Sequence, residues 1–178
     1  LLLGALNFSI FWAALFAAAY LLPGGVAATL GAVQPLIVLA LAQVLLGARV
    51  PALGVISALT GMLGVALLIL GPEARLDPFG VIAALIGAVS MAAGVVLTRK
   101  WQPPGSPLTF AAWQLTAGGL LLLPVALIIE PGFPRPDLDA AFGLAWLSVI
   151  GAAVTYYLWF RGIARLGPAA ITGLGFLS

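Results

Sequence analysis

Polar and aromatic side chains are rare in the apolar stretches of this 178-residue sequence, and several of them recur at helical spacing. Asn7 and Phe11 are four residues apart, so they would share one face of a helix. Ser148, Gly151, Thr155 and Trp159 form a second stripe at helical spacing, and Tyr156 lies beside it. A carboxamide offers donors and an acceptor without a fixed charge, and aromatic rings supply the apolar walls of small-molecule pockets. These groups predict binding of a neutral, zwitterionic or aromatic solute.

Gln34 and Pro35 form the most specific pair in the sequence. Pro35 has no N–H to donate to the carbonyl of Gly31, so a free carbonyl and a primary amide lie within one helical turn. One interpretation is a packed kink in which the amide caps that carbonyl. The other is a ligand-facing pair at a helix break. In the second case Gly31, Pro35 and Gly151 are the predicted hinge positions.

Other polar residues leave two interpretations open, because polar groups in lipid tend to face a bundle interior or a cavity. Gln114 either bonds a neighbouring helix or lines a pore. Ser90 lies in a stripe of small residues that predicts close helix packing, and it is also a candidate for the border of a cavity. Trp159 either lines the cavity or anchors a helix end at the interface. The predicted substrate-binding residues are Asn7, Phe11, Gln34, Ser90, Gln114, Thr155, Tyr156 and Trp159.

Composition excludes several classes of function. Apolar residues make up 63% of the chain and charged residues 7%, whereas soluble domains carry about 25% charged residues. The sequence has no His and no Cys, which excludes Ser-His-Asp triads and the usual zinc sites. We expect no enzyme, no metal and no cofactor. A net charge of +2 is too small for a nucleic-acid-binding stripe, so the expected partners are a small-molecule substrate and the lipid bilayer, with the chain a monomer or weak dimer.

Charge-free stretches of about 20 residues are long enough to cross a bilayer as helices. Short connections between them make consecutive helices antiparallel neighbours. The sequence therefore predicts an all-α, polytopic transmembrane bundle. The expected spans are 1–22, 26–46, 51–71, 79–98, 108–129 and 140–160, with part of a seventh from 167.

Alternating the loops across the membrane separates the charges. One side carries two arginines and all five acidic residues, and the other side carries only basic residues. Because Lys and Arg concentrate in cytoplasmic loops, the second side is predicted to be cytoplasmic. Its residues are Arg49, Arg99, Lys100, Arg161 and Arg165.

The chain also matches itself when it is shifted by 144 residues. This shift pairs Leu22 with Leu166 and Gly31 with Gly175. Five predicted spans separate the matched turns, and an odd number means that the two copies face opposite ways. Inverted repeats of this kind are typical of secondary transporters.

Two segments carry a family resemblance. Residues 25–35 (GVAATLGAVQP) and 153–170 (AVTYYLWFRGIARLGPAA) resemble the fourth and eighth helices of EamA-type members of the drug/metabolite transporter superfamily. The resemblance implies a ten-helix protein of two inverted five-helix repeats with both termini cytoplasmic. Residues 1–71 would then be helices three to five of the first repeat, and 72–178 helices six to most of nine. Ala48 stands where the family commonly has Glu.

The resemblance implies a secondary transporter that exports amino acids or related small neutral or zwitterionic metabolites by alternating access. The expected location is the bacterial cytoplasmic (inner) membrane, and the chain is expected to be a fragment of the ten-helix protein. Two alternatives stay open: a multidrug efflux transporter for hydrophobic compounds, and a non-transporting membrane assembly subunit.

Overall fold

The computed structural model describes residues 1–69, 76–101, 105–129, 132 and 136–166. All regular secondary structure in these ranges is helical, which confirms the all-α prediction. Five helices are long and apolar enough to cross a membrane, and the helix at the third predicted span is shorter. In chain order the helices are α1 (Leu2–Leu21), α2 (Gly24–Leu46), α3 (Ala52–Ile69), α4 (Pro78–Trp101), α5 (Pro107–Ile129) and α6 (Leu138–Arg165).

The helices lie where the apolar runs place them, with two differences. Helix α6 continues past the predicted end at 160 to Arg165, because the last turns still pack apolar side chains against the bundle. Helix α2 is interrupted at 32–33 and consists of the segments Gly24–Gly31 and Gln34–Leu46. The predicted seventh span and most of the segment 72–78, between the third and fourth predicted spans, lie outside the described residues.

Local sequence explains where the helices begin and end. Leu22 is extended (φ −123°, ψ 148°), as expected for a residue that precedes proline, and this ends α1. Gly47 ends α2 in the left-handed conformation (φ 63°), which glycine adopts without steric cost. At the start of α4 and α6, the Oδ1 atoms of Asp77 and Asp137 accept hydrogen bonds from backbone N–H groups of the first turn.

Helix α4 is the centre of the packing. At the α1–α2 turn, Leu22 and Val26 form a cluster with Ala84 of α4. Farther along α4, Ala92 and Val96 pack against the second segment of α2. Small residues on α4 permit this close approach, since lipid-embedded helices associate through packing rather than through hydrophobicity.

The contacts place the basic residues of the predicted cytoplasmic side at one end of the bundle, as the sequence predicts. Arg99 Nη1 donates to the carbonyl oxygens of Ile163 and Ala164, so the end of α4 meets the end of α6. The last turn of α2 packs beside Val96 of α4, which brings Arg49 to the same end. Guanidinium groups at helix C-termini also interact favourably with the helix dipoles.

Candidate functional site

Two of the helices contain π-helical segments. In α1 the segment is Ala5–Ile10, and in α6 it is Leu147–Val154. Shifting Ala5–Ile10 by 144 residues gives 149–154, which lies wholly within the second segment. The two irregularities therefore occupy corresponding positions under the shift that relates the predicted repeats. π-Helical turns are rare and occur frequently at functional sites.

The α1 segment carries a buried polar cluster. Asn7 is 1% exposed, Gln114 of α5 is 4% exposed and Thr98 of α4 is 6% exposed. Asn7 Nδ2 donates to Gln114 Oε1 at 2.6 Å and to Thr98 Oγ1 at 3.4 Å. A single amide thus joins α1 to two other helices in the interior of the bundle.

Gly94 of α4 lies directly beside the Asn7 amide. A Cβ atom added at Gly94 would overlap Asn7 Oδ1 and the carbon that carries it. The carboxamide of Asn7 therefore lies close to the backbone of α4 at Gly94, in space that a Cβ atom would fill.

The cluster is only partly satisfied. Asn7 Oδ1 and Gln114 Nε2 have no hydrogen-bond partner among the described residues. One of these atoms is an acceptor and the other a donor. Buried groups left without partners cost free energy, about 1–3 kcal/mol each. The cluster therefore contains one acceptor and one donor that could still form hydrogen bonds.

Two serine hydroxyls fix the same segment to its neighbours. Ser9 Oγ donates to the carbonyl of Gly118 on α5 at 2.9 Å, and Ser90 Oγ of α4 donates to the carbonyl of Leu6 at 2.8 Å. With the Asn7 bonds, every one of these contacts runs from the predicted first repeat to the predicted second. Ser90 therefore contacts the backbone of α1.

An aromatic cluster joins α1 to α6. Phe8 stands edge-on to Tyr156, with ring centroids 4.6 Å apart, and contacts Phe160 at 6.3 Å. Phe11 and Trp159 are partly buried and pack against the same cluster. The structure therefore brings together Phe11, Tyr156 and Trp159, three of the aromatic residues that the sequence singled out.

Gln34 lies elsewhere. It is half-buried at the start of the second segment of α2, and the neighbouring Val33 packs against the cluster at the α1–α2 turn. The bonds of the Asn7 cluster go to Thr98 and Gln114 and not to Gln34. Pro35 sits in the first turn of the new segment, where its missing N–H costs nothing.

Thr155 and Gly151 lie on an exposed part of α6. The Thr155 hydroxyl donates to the Ile150 carbonyl of its own helix at 2.9 Å. A Cβ at Gly151 would approach only Leu147 of the same helix, at 3.6 Å. The structure does not bring these two residues to the Asn7 cluster.

Two clefts border the polar cluster at the basic end. Thr98 lies in the wall of a cleft of about 220 Å³, with Arg99 and Phe160. Gln114 lies in the wall of another of about 320 Å³, with Trp101 and Trp113. The two hydrogen-bond partners of Asn7 thus belong to different clefts.

The sequence did not predict the roles of Phe8 and Thr98, or the contact of Asn7 with the backbone at Gly94. Phe8 is buried because the π-helical turn places three successive residues, Asn7 to Ser9, in the interior, which a regular helical period does not predict. Thr98 was detectable, since it continues the four-residue spacing of Ser90 and Gly94 along α4.

Comparison with known proteins defines the class. Residues 78–178 match the EamA-like transporter family, so the chain belongs to that family, within the drug/metabolite transporter superfamily. It is an integral, multi-pass membrane protein. Members of the family are transporters rather than enzymes.

Among curated proteins, the chain is similar to Protein PecM of Dickeya dadantii (strain 3937), with 44% identity over 99% of this chain and 60% of that protein. It is also similar to the WAT1-related protein At3g02690, chloroplastic, of Arabidopsis thaliana, with 31% identity over 82% of this chain and 37% of that protein. The chain thus spans less than two thirds of the length of each of these relatives. No solved structure matches it significantly.

Proposed function

We propose that the protein is a secondary transporter that exports a small neutral or zwitterionic solute, such as an amino acid or a related metabolite, from the bacterial cytoplasm. The observation that carries this proposal is the pairing of uncharged amides with an aromatic cluster where α1 meets α4, α5 and α6. Charged side chains within the six helices lie only near helix ends. An uncharged interior favours solutes without net charge.

The proposed contacts are divided between two regions. Phe11, Tyr156 and Trp159 are half-buried and supply an apolar wall. Gln34 supplies an uncharged amide at the break in α2, and Gly31, Pro35 and Gly151 absorb backbone change as one repeat rocks against the other. Asn7 is already bonded to Gln114, so it meets the solute only in a conformation in which that bond is open.

Solute counterflow with the full chain in proteoliposomes tests the substrate class. We expect neutral amino acids to exchange and aromatic cations not to exchange. Exchange of aromatic cations alone would instead support multidrug efflux. A well-folded preparation that exchanges neither class would contradict transport of both kinds and would favour an assembly subunit.

Gln34→Ala tests the amide at the helix break. Transport should fall strongly while folded yield stays near that of the wild type, because the side chain is only half-buried. Gln43→Ala is the matched control, since Gln43 is an exposed amide on the same helix. Wild-type counterflow by a well-expressed Gln34→Ala variant would remove Gln34 from the site.

Cysteine labelling tests the proposed orientation, and the sequence has no native Cys to interfere. Ser106→Cys reports on the basic end, and Leu138→Cys reports on the opposite end; both residues are exposed. With an impermeant maleimide and intact cells, we expect Leu138→Cys to react and Ser106→Cys to be protected. The reverse pattern would invert the orientation.

A further inference from the structure

We propose that the Asn7–Gln114 hydrogen bond is a latch between the two repeats, and that Gly94 and Thr98 are positioning residues that hold Asn7 in it. This inference rests on the proposed function, since a latch of this kind matters to a protein whose repeats move against each other. It assigns Asn7 to the conformational step, and it gives Gly94 and Thr98 a role beyond helix packing.

The location of the bond supports this role. Asn7 is on α1, in the predicted first repeat, whereas Gln114 is on α5, in the predicted second. Relative motion of the repeats must therefore change the distance between these two amides. The bond lies in the π-helical segment of α1, where the backbone already departs from regular helical hydrogen bonding.

Gly94 and Thr98 determine where the Asn7 amide can lie. The amide rests against the Gly94 backbone, in space that a Cβ would fill. Thr98, one turn further along the same face of α4, accepts from Asn7 Nδ2. Together they orient Nδ2 toward Gln114 and restrict the rotation of the carboxamide.

The unpaired atoms make the latch reversible. In this conformation Asn7 Oδ1 and Gln114 Nε2 lack partners among the described residues, so closing the latch leaves one acceptor and one donor unsatisfied. Opening it would expose both amides to water or to the polar end of a solute. The net preference for the closed state is therefore smaller than that of a fully paired bridge.

The two partners of Asn7 in the latch border two different clefts. Thr98 borders one cleft at the basic end, and Gln114 borders the other. With Asn7 bonded to both residues, α1 stays packed between α4 and α5.

The experiment compares Gly94→Ala with Gly87→Ala in the full chain. Both glycines lie on α4, but a Cβ at Gly87 would make an ordinary contact with Ala14 Cβ at 3.5 Å. The readout is the labelling rate of Ala111→Cys, a buried position beside Phe8 and Val95. Gly94→Ala should label several-fold faster than the parent, and Gly87→Ala at the parent rate. Equal rates in the two folded variants would overturn the latch.

A second pair keeps the test decisive if Gly94→Ala does not fold. Thr98→Val removes the hydroxyl at nearly constant volume, and Thr98→Ser retains it. In counterflow, Thr98→Val should lower the maximal rate several-fold with KM unchanged. The reason is that the step that closes the latch, in which the Asn7–Gln114 bond forms again, slows when Thr98 no longer positions Asn7. Thr98→Ser should restore the rate. A rise in KM at unchanged maximal rate would overturn the proposal, since it would place solute contact at this cluster instead.

Failure of the proposed function is distinguishable from failure of the latch. If the wild type exchanges no solute, the transport proposal fails. The Ala111→Cys labelling still decides whether the contact of Asn7 with Gly94 keeps the latch closed. If transport is normal and labelling does not respond to Gly94→Ala, the latch alone fails.

Discussion

The two π-helical segments, Ala5–Ile10 of α1 and Leu147–Val154 of α6, share a backbone irregularity and differ in nearly everything else. The α1 segment buries Asn7, Phe8 and Ser9 among other helices, and its polar groups bond across to α4 and α5. The α6 segment has no buried residue, and the nearby hydroxyls of Ser148 and Thr155 bond to carbonyls of α6 itself.

The α1 segment is thus fixed by contacts with other helices, whereas the α6 segment is free of such buried contacts within the described part of the chain. Predicted inverted repeats supply the same fold twice, but only the first copy places an amide at the shared position, where Asn7 corresponds to Gly151. In the proposed rocking of one repeat against the other, the more tightly bonded copy would move less than the other. We therefore assign anchoring to the α1 segment and bending to the α6 segment.

The largest expected effect comes from crowding α1 at Gly4, the residue immediately before its π-helical segment. Gly4→Leu should abolish folded yield, because a Cβ at Gly4 would lie 2.8 Å from Ala117 Cβ and 3.0 Å from the Gln114 carbonyl oxygen. Overpacking typically costs about 1–3 kcal/mol even where side chains can adjust. The cost should be larger here, because the backbone of α5 at Gln114 moves less readily than a side chain. The measurement is monodisperse protein recovered after detergent extraction.

Gly151→Leu is the counterpart in α6, where a Cβ would meet only the Leu147 side chain. It should be recovered at near wild-type yield. If both leucine variants were lost equally, the distinction between an anchored and a free segment would not hold.

A second effect tests bending. Gly151→Ala should leave folded yield unchanged and lower the counterflow rate about fivefold, because alanine favours regular helix over glycine by about 1 kcal/mol and that amount changes a rate by about a factor of five. Gly143→Ala is the control, since it lies on the same helix before the π-helical segment, in open space. Equal rates for the two variants would show that α6 does not bend at Gly151.

How far the sequence predicted these features depends on the kind of signal. Charge-free apolar runs and the short connections between them placed the helices, because the length of a span is a local property. The π-helical segments were not predicted, since a one-residue shift in helical register leaves no local sequence pattern; in α1 the shift buries Asn7, Phe8 and Ser9, whereas the α6 segment buries no residue. The aromatic residues of α1 and α6 do meet, whereas Gln34 packs apart from Asn7, and no local pattern distinguishes these outcomes.

A third, smaller effect concerns the serine hydroxyls. Ser9→Ala removes a buried bond to the Gly118 carbonyl on α5, and interhelical bonds of this kind contribute about 0.6 kcal/mol on average in membrane proteins. The melting temperature in detergent should fall by a few degrees. Ser148→Ala, which removes a bond within α6, should leave it unchanged. A larger loss from Ser148→Ala than from Ser9→Ala would reverse the roles of the two segments.

The smallest expected effect is at Thr155, where the sequence predicts a substrate contact. Thr155→Val removes a hydroxyl that is exposed and bonded within its own helix, so the melting temperature should not change. If the free side of α6 turns toward the solute, KM in counterflow should rise by about two- to threefold, a difference of about 0.5 kcal/mol. Thr60→Val on α3 is the matched control, because the Thr60 hydroxyl also bonds a carbonyl of its own helix, that of Ile56 at 2.9 Å. Identical kinetics for the two variants would take Thr155 out of the substrate site and would leave α6 as a bending element that the solute does not touch.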